Sequence, residues 1–107
     1  MPYIKPKDRT ILDGKINALI QQIGFEISWD DGAVNYTITR LLIGYVKHCG
    51  LHYSTLQNVV GLLAAVHDEF DRRVVRPYEK QKRIENGDVY PPELTGGDVE
   101  EGGNDGR

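Results

Sequence analysis

The stretch Ser54–Tyr90 constrains the fold more than any other part of the chain. It begins with a Ser-x-x-Gln capping box that ends at Gln57, after which apolar residues recur at helical spacing. Pro77 lies about two-thirds of the way along, where its ring would clash with the preceding helical turn. Asn86-Gly87 is typical of a helix C-terminus. The stretch therefore predicts one long helix that is kinked or restarted at Pro77.

Two shorter helices are predicted before it. Residues 1–12 read as an arm, and Asp13 is a good N-cap for a first helix over about 14–23. Gly24 fits the left-handed residue that closes this helix. Residues 25–29 alternate apolar and polar side chains, but a lone strand has nothing to pair with, so we expect an extended connector.

The second helix is predicted over about 32–49, with Asp30 or Asp31 as its cap and Gly50 as its end. The connector to the third helix is short, which predicts an antiparallel helical hairpin with facing apolar stripes. Gly44 and Gly61 lie inside the two helices. They indicate either a close approach of the two backbones or a flat surface for a ligand or subunit.

Composition bounds the chain to one small globular domain. It has 107 residues, of which 39% are hydrophobic and 27% charged. A core of this size is limited, so we expect an all-α homo-oligomer of three main helices. No apolar run is long enough for a membrane helix, and the N-terminus has no secretory h-region. The single cysteine, Cys49, excludes an internal disulfide and fits a reducing cytoplasm.

Charge is distributed unevenly. Residues 91–107 carry five acids and one arginine, a net charge of −4, so the total of −3 leaves residues 1–90 at +1. We expect a helical domain over 1–90 and a disordered, acidic, Gly-rich tail over 91–107. Between Arg72 and Arg83 there are six cations and one acid, Glu79.

This basic segment is the candidate binding site. Arginine binds phosphate or carboxylate bidentately, and tyrosine can stack on a base. The alternative is a solvated helix face whose arginines pair with Asp68, Glu69 and Asp71 at i, i+4 spacing. Polar residues of the second helix are included with the segment. The predicted ligand-binding residues are Arg72, Arg73, Arg76, Tyr78, Glu79, Lys82, Asn86, Asp88, Asn35 and Arg40.

No metal or cofactor site is expected. His48 and His52 are separated by the predicted helix end at Gly50, so they and the cysteine between them read as loop residues and a buried thiol. His67-Asp68 resembles the pair of metal-dependent phosphohydrolases, but the chain offers no further ligand set of that kind. Duplex DNA is not an expected partner, because the chain is acidic overall and shows no helix-turn-helix pattern.

The chain also resembles a family of short, uncharacterised proteins encoded by tailed phages and related viruses. The resemblance covers about residues 1–90 and departs from the family pattern at Gly14 and Asp71. It implies a small phage protein acting in the host cytoplasm, without an established activity. The shared residues are Asn35-Tyr36-x-Ile38-Thr39-x-Leu41, Tyr53, Gly61, Glu69-Phe70, Arg72-Arg73-Val74-Val75-x-Pro77-Tyr78-Glu79, Lys82 and Glu85-Asn86-Gly87-Asp88-Val89.

The expected function is that of a phage accessory protein that sequesters a nucleotide-like small molecule, such as a host immune signal, without cleaving it. Two alternatives stay open. The chain could be a protein-interaction module that inhibits or adapts a host or phage protein. It could also be a metal-dependent nucleotide hydrolase, an interpretation that the short chain makes the weakest of the three.

Overall fold

The computed structural model describes residues 2–96, and every regular element in that range is helical. The elements are α1 (Pro6–Gln22), a first π turn (Ile23–Ile27), α2 (Asp31–Cys49), α3 (Tyr53–Phe70), a second π turn (Asp71–Val75), α4 (Arg76–Asn86) and the short α5 (Pro92–Thr95). The all-α prediction is confirmed. The predicted third helix is a long helical stretch over residues 53–86, divided into α3 and α4 by the second π turn.

Helix α1 begins earlier than its sequence suggests. The predicted arm over residues 1–12 and the cap at Asp13 are wrong, because Pro6 occupies the first helical position, where a missing N–H costs nothing. Arg9 Nε donates to the carbonyl of Ile4 at 2.8 Å, and the Thr10 hydroxyl donates to the carbonyl of Pro6 at 3.1 Å. These local bonds hold the first turn together in place of a side-chain cap.

The connector after α1 is helical, so the predicted extended segment over residues 25–29 is also wrong. Gly24 lies within the first π turn, and the left-handed residues come later, at Ser28 (φ 58°) and Trp29 (φ 57°). A Cβ on Gly24 would lie 3.3 Å from Trp29 Nε1. The indole therefore lies close over Gly24, next to the buried Ile23.

Helix α2 follows its predicted signals. Asp30 Oδ2 accepts a hydrogen bond from the backbone N–H of Ala33 at 3.3 Å, which confirms the N-cap. The helix ends at Gly50, whose backbone (φ 97°, ψ 153°) lies in a region that is almost exclusive to glycine. The start and the end of α2 are thus each set by a single residue, a capping aspartate and a glycine, that can be recognised in the sequence.

Helix α3 begins at Tyr53, so Ser54 lies inside the first turn and the predicted capping box is wrong. The amide of Gln57 donates to the hydroxyl of Tyr53 at 3.3 Å instead. Near Pro77 the irregularity comes before the proline, where the N–H of Arg76 bonds back to the carbonyl of Asp71. A widened turn of this kind accommodates a position at which proline removes a regular helix bond. The predicted stop at Asn86-Gly87 is confirmed, with Gly87 at φ 87°.

The chain divides into two compact units, Met1–Ala65 and Val66–Arg107. In the first unit, α1, α2 and α3 do not pack side by side along their lengths, so the predicted antiparallel hairpin is wrong. Gly50 adopts an extended backbone there instead of a compact left-handed turn. The predicted apolar stripes lie largely open, as at Leu41 (68% exposed) and Val60 (67%). Among the described residues only Ile23 and Thr55 are buried.

The two helix-interior glycines are not crossing points in the described chain. A Cβ built on either Gly44 or Gly61 would meet no heavy atom within 4 Å. Of the two interpretations, a close approach of backbones is therefore not found, and an open surface remains. None of the described helices is both long and apolar enough to cross a bilayer. Of the predicted tail, Pro92–Thr95 forms one helical turn, and residues 97–107 lie outside the described part.

Two glycine substitutions should change stability in opposite directions. Gly50→Ala forces a side chain into the glycine-only region and brings its Cβ to 2.7 Å from His52 Nε2. We expect it to lower the free energy of unfolding by roughly 1–3 kcal/mol in urea titrations. Gly14→Ala is the matched control, since it adds the same methyl group inside α1 with open space around it. This variant should gain about 0.5–1 kcal/mol, and a loss at Gly14 would contradict the helix assignment.

Candidate functional site

One face of α4 and the four residues after the helix line an open concavity of about 470 Å³. Its volume lies within the range of small-molecule sites. All of its lining residues belong to the second unit and fall within one continuous stretch of chain. They are Tyr78, Glu79, Lys82, Arg83, Asn86, Gly87, Asp88, Val89 and Tyr90.

The backbone after α4 is shaped by two local devices. Gly87 closes the helix by donating its N–H to the carbonyl of Arg83 at 2.9 Å, with a positive φ that an L residue rarely adopts. Asp88 Oδ1 then accepts a hydrogen bond from the N–H of Tyr90 at 3.0 Å, which makes an Asx turn. Together they bring Tyr90 to the rim of a site whose other wall is α4.

The helical wall combines a ring, a cation and a carboxylate. Tyr78 and Lys82 are four residues apart and therefore neighbours on one face. The Lys82 ammonium lies 5.6 Å from the centre of the Tyr78 ring and 3.3 Å from Glu85 Oε1. The side chains of Lys82 and Glu85 are each about half exposed, so water screens this pair and its strength is modest. The ammonium is held near the ring and remains accessible to a ligand.

Five of the predicted site residues line this concavity: Tyr78, Glu79, Lys82, Asn86 and Asp88. The structure adds four lining residues that were not predicted, Arg83, Gly87, Val89 and Tyr90, and of these Arg83 and Tyr90 bring polar side chains. Arg83 could have been found, because it follows Glu79 at i+4 spacing on the same helix. Tyr90 could not have been placed by periodicity, because it lies after the helix end and depends on the Asx turn.

The three predicted arginines lie upstream of the concavity and pair with nearby acids. Arg72 Nη2 lies 2.7 Å from Glu69 Oε1 and 3.6 Å from Asp68 Oδ2. Arg76 Nε donates to Asp71 Oδ2 at 2.9 Å, and Arg73 Nη1 lies 3.8 Å from Glu69 Oε2. These contacts match the alternative of a salt-bridged helix face, and none of the three arginines lines the concavity.

The two predicted residues of α2 make local contacts in the first unit. Arg40 Nη1 donates to the hydroxyl of Tyr36 at 2.7 Å, with its guanidinium 5.6 Å from the centre of that ring. The carbonyl of Asn35 accepts a hydrogen bond from the Thr39 hydroxyl at 2.8 Å. Asn35 and Arg40 do not line the concavity, whose residues all belong to the second unit.

No metal-binding cluster occurs in the part of the chain that the structure describes. Within residues 2–96, no three His, Cys, Asp or Glu side chains are grouped so as to hold an ion. Cys49 is an exposed thiol, so the expectation of a buried cysteine at this position is wrong. The cause is the open arrangement of α2 and α3, which leaves the last turn of α2 uncovered.

Comparison with known proteins gives a family and no activity. The model of a domain of unknown function, DUF6899, matches residues 1–89. The chain belongs to this family. No curated protein and no solved structure matches it significantly. The DUF6899 match ends at Val89, so it includes eight of the nine residues that line the concavity.

The concavity of this DUF6899 chain is suited to hold a flat, polar molecule. Two tyrosines offer ring faces, two cations offer charge-assisted donors, and the amide of Asn86 offers both a donor and an acceptor. Glu79 and Asp88 add carboxylate acceptors. The lining set includes no serine, cysteine or histidine that would act as a nucleophile or general base.

The Asx turn gives a direct test of how the site is built. Asp88→Ala removes the acceptor of the Tyr90 N–H, and we expect amide hydrogen exchange at Tyr90 to become roughly fivefold faster, as for the loss of about 1 kcal/mol. Asp88→Asn is the matched control, because its side-chain oxygen can still accept the bond. Equal exchange rates in wild type and Asp88→Ala, measured by NMR, would show that the turn does not depend on this bond.

Proposed function

We propose that this protein is a phage accessory protein that binds a nucleotide-like small molecule at the end of α4 and sequesters it without cleavage. In this proposal it acts as a homo-oligomer in the host cytoplasm, and a nucleotide signal of host immunity is the ligand class in view. One observation carries the proposal. The concavity groups Tyr78, Tyr90, Lys82, Arg83 and Asn86 within one short stretch of chain.

Each ligand part has a matching group in that stretch. An aromatic base would stack on a tyrosine ring, an interaction worth about 1–3 kcal/mol per base. A phosphate would accept charge-assisted hydrogen bonds from Lys82 and Arg83. Ribose hydroxyls and exocyclic amines would donate to Glu79 or Asp88, and Asn86 would read a base edge.

Sequestration fits the lining residues better than turnover does. Cleavage of a phosphoester needs a positioned base or nucleophile, or metal ions held by carboxylates and histidines. The concavity supplies binding groups for charge and for rings, and one of its two carboxylates, Asp88, already accepts the Tyr90 N–H. We therefore propose binding as the activity of the site.

A thermal-shift and calorimetric screen tests the proposal. The probes are adenosine and guanosine monophosphates and cyclic dinucleotides, added to the full chain. A true ligand should raise the melting temperature by an amount set by its concentration relative to its dissociation constant. Heat-denatured complex should return the same nucleotide unchanged on chromatography. Absence of a shift with every nucleotide, or recovery of cleaved products, would contradict the proposal.

Point variants locate the ligand. With a nucleotide that gives a shift, Tyr78→Ala should weaken binding roughly 5- to 150-fold through lost stacking, while Tyr78→Phe should bind nearly as wild type does. Lys82→Ala should weaken binding several-fold. Lys80→Ala is the matched control, since it removes the same charge from the same helix at a residue that does not line the concavity. Equal losses for Lys80→Ala and Lys82→Ala would mean that general charge, not this site, attracts the nucleotide.

A second candidate, a protein-interaction module, is favoured by one different observation. All seventeen residues of α1 are exposed, including the apolar series Leu12, Ile16 and Leu19. An amphipathic helix without a partner is a common recognition element for a groove on another protein. A module of this kind would give no nucleotide shift, and Leu19→Asp would weaken its complex with a host or phage protein while Lys15→Asp, on the same helix, would not.

A further inference from the structure

The chain contains a long uncharged segment. His48–His67 comprises twenty consecutive residues without Asp, Glu, Lys or Arg, in a protein that is 27% charged. Most of the segment belongs to α3, whose residues are nearly all exposed. An apolar helix face is normally buried against another element. Among the described residues of the first unit, no other helix packs along α3.

Helix α3 also carries a heptad repeat. Tyr53, Leu56, Val60, Leu63, His67 and Phe70 follow one another at alternating steps of three and four residues. This spacing of 3.5 residues places them on one seam, as in a coiled coil. In this register Val60 occupies an a position and Leu63 a d position of the heptad. A β-branched residue at a with leucine at d favours two-stranded coiled coils over larger bundles.

One part of the seam has the shape of a packing hole. Tyr53, Leu56, Gln57 and Val60 line a shallow depression of about 350 Å³ on the helix surface. These residues stand at i, i+3, i+4 and i+7, the four positions that receive one side chain of a facing helix in knobs-into-holes packing. Val60 and Tyr53 are 67% and 77% exposed, so the hole is open.

Charge favours a second copy over a heterologous protein. A face that meets its own copy must not bring like charges together, and this seam and its flanking positions carry none from Tyr53 to Val66. A host partner selected by charge complementarity would instead require charged residues around the face. The absence of charge on the seam therefore favours pairing with the same surface of a second copy.

We propose that α3 pairs with α3 of a second copy through the seam of Tyr53, Leu56, Val60 and Leu63. The inference rests on the homo-oligomer part of the proposed function and names its contact surface. It does not depend on the nucleotide site, which lies in the second unit. The seam residues of two chains would fill each other's holes and give α3 the burial that the described part of its own chain does not provide.

Light scattering after gel filtration of the full chain tests the pairing. Wild type should have a mass that is an even multiple of 12.1 kDa. Val60→Lys should reduce it to the single chain, because it places two like charges on a seam. Asn58→Lys, which adds the same charge to the opposite face of the same helix, should keep the wild-type mass. A monomeric wild type, or equal behaviour of the two lysine variants, would overturn the inference.

A milder variant covers the case in which Val60→Lys fails to fold. Val60→Ala preserves helix propensity and should raise the dissociation constant on dilution by roughly tenfold, because both copies lose contacts. An unchanged dissociation constant would overturn the pairing. Tyr78→Ala should keep the wild-type mass, so failure of the ligand proposal and failure of the pairing give different results.

Discussion

An apolar helix face needs something to pack against, and most of this structure follows from the fact that the described chain does not supply it. Isolated helices of fewer than about 15 residues are marginal in water, and longer ones depend on packing for most of their stability. Helices α1, α2 and α3 are 17, 19 and 18 residues long, yet their apolar residues are exposed or half-buried, and Ile23 is the only buried apolar side chain among the described residues. In the pairing proposed above, a second copy would provide much of the stabilisation through the seam of α3.

In the second unit, the shape of the concavity depends on local interactions between residues close in sequence. Its concavity requires no tertiary packing, because a glycine, an aspartate and one hydrogen bond turn the chain after α4. The tyrosine rings and the cations then face one space on a short stretch of backbone. Upstream, Arg72 pairs with Asp68 and Glu69 at i, i+4 and i, i+3 spacing. Arg76 pairs with Asp71 five residues earlier, across the second π turn, and these ion pairs stiffen the approach to Pro77. The proposed ligand site and the proposed pairing surface therefore lie on separate parts of the chain.

The sequence predicted correctly those helix ends that depend on the chemistry of a single residue. It did not predict the features that depend on packing between elements. Asp30, Gly50 and Gly87 mark helix ends through their own side-chain or backbone chemistry, and all three predictions are confirmed. The predicted packing of α2 on α3 was wrong, because an apolar stripe shows only that a helix face needs burial. It does not show which surface covers that face. The π turns carry no clear local signature, so the connector after α1 was predicted wrongly. The predicted restart at Pro77 is confirmed, because α4 begins at Arg76 with the proline in its first turn. In the site, helical spacing reached Tyr78, Lys82 and Asn86, whereas Tyr90 depends on a turn outside the helix.

Amide hydrogen exchange of α3 at different protein concentrations tests the central claim most directly. If α3 owes its stability to a second copy, protection of the amides from Leu56 to Leu63 should rise with concentration across the dissociation constant, since association stabilises the folded form by mass action. The amides of α4 serve as the internal reference, because the site they carry is built within one chain. Concentration-independent protection of α3 would contradict the account.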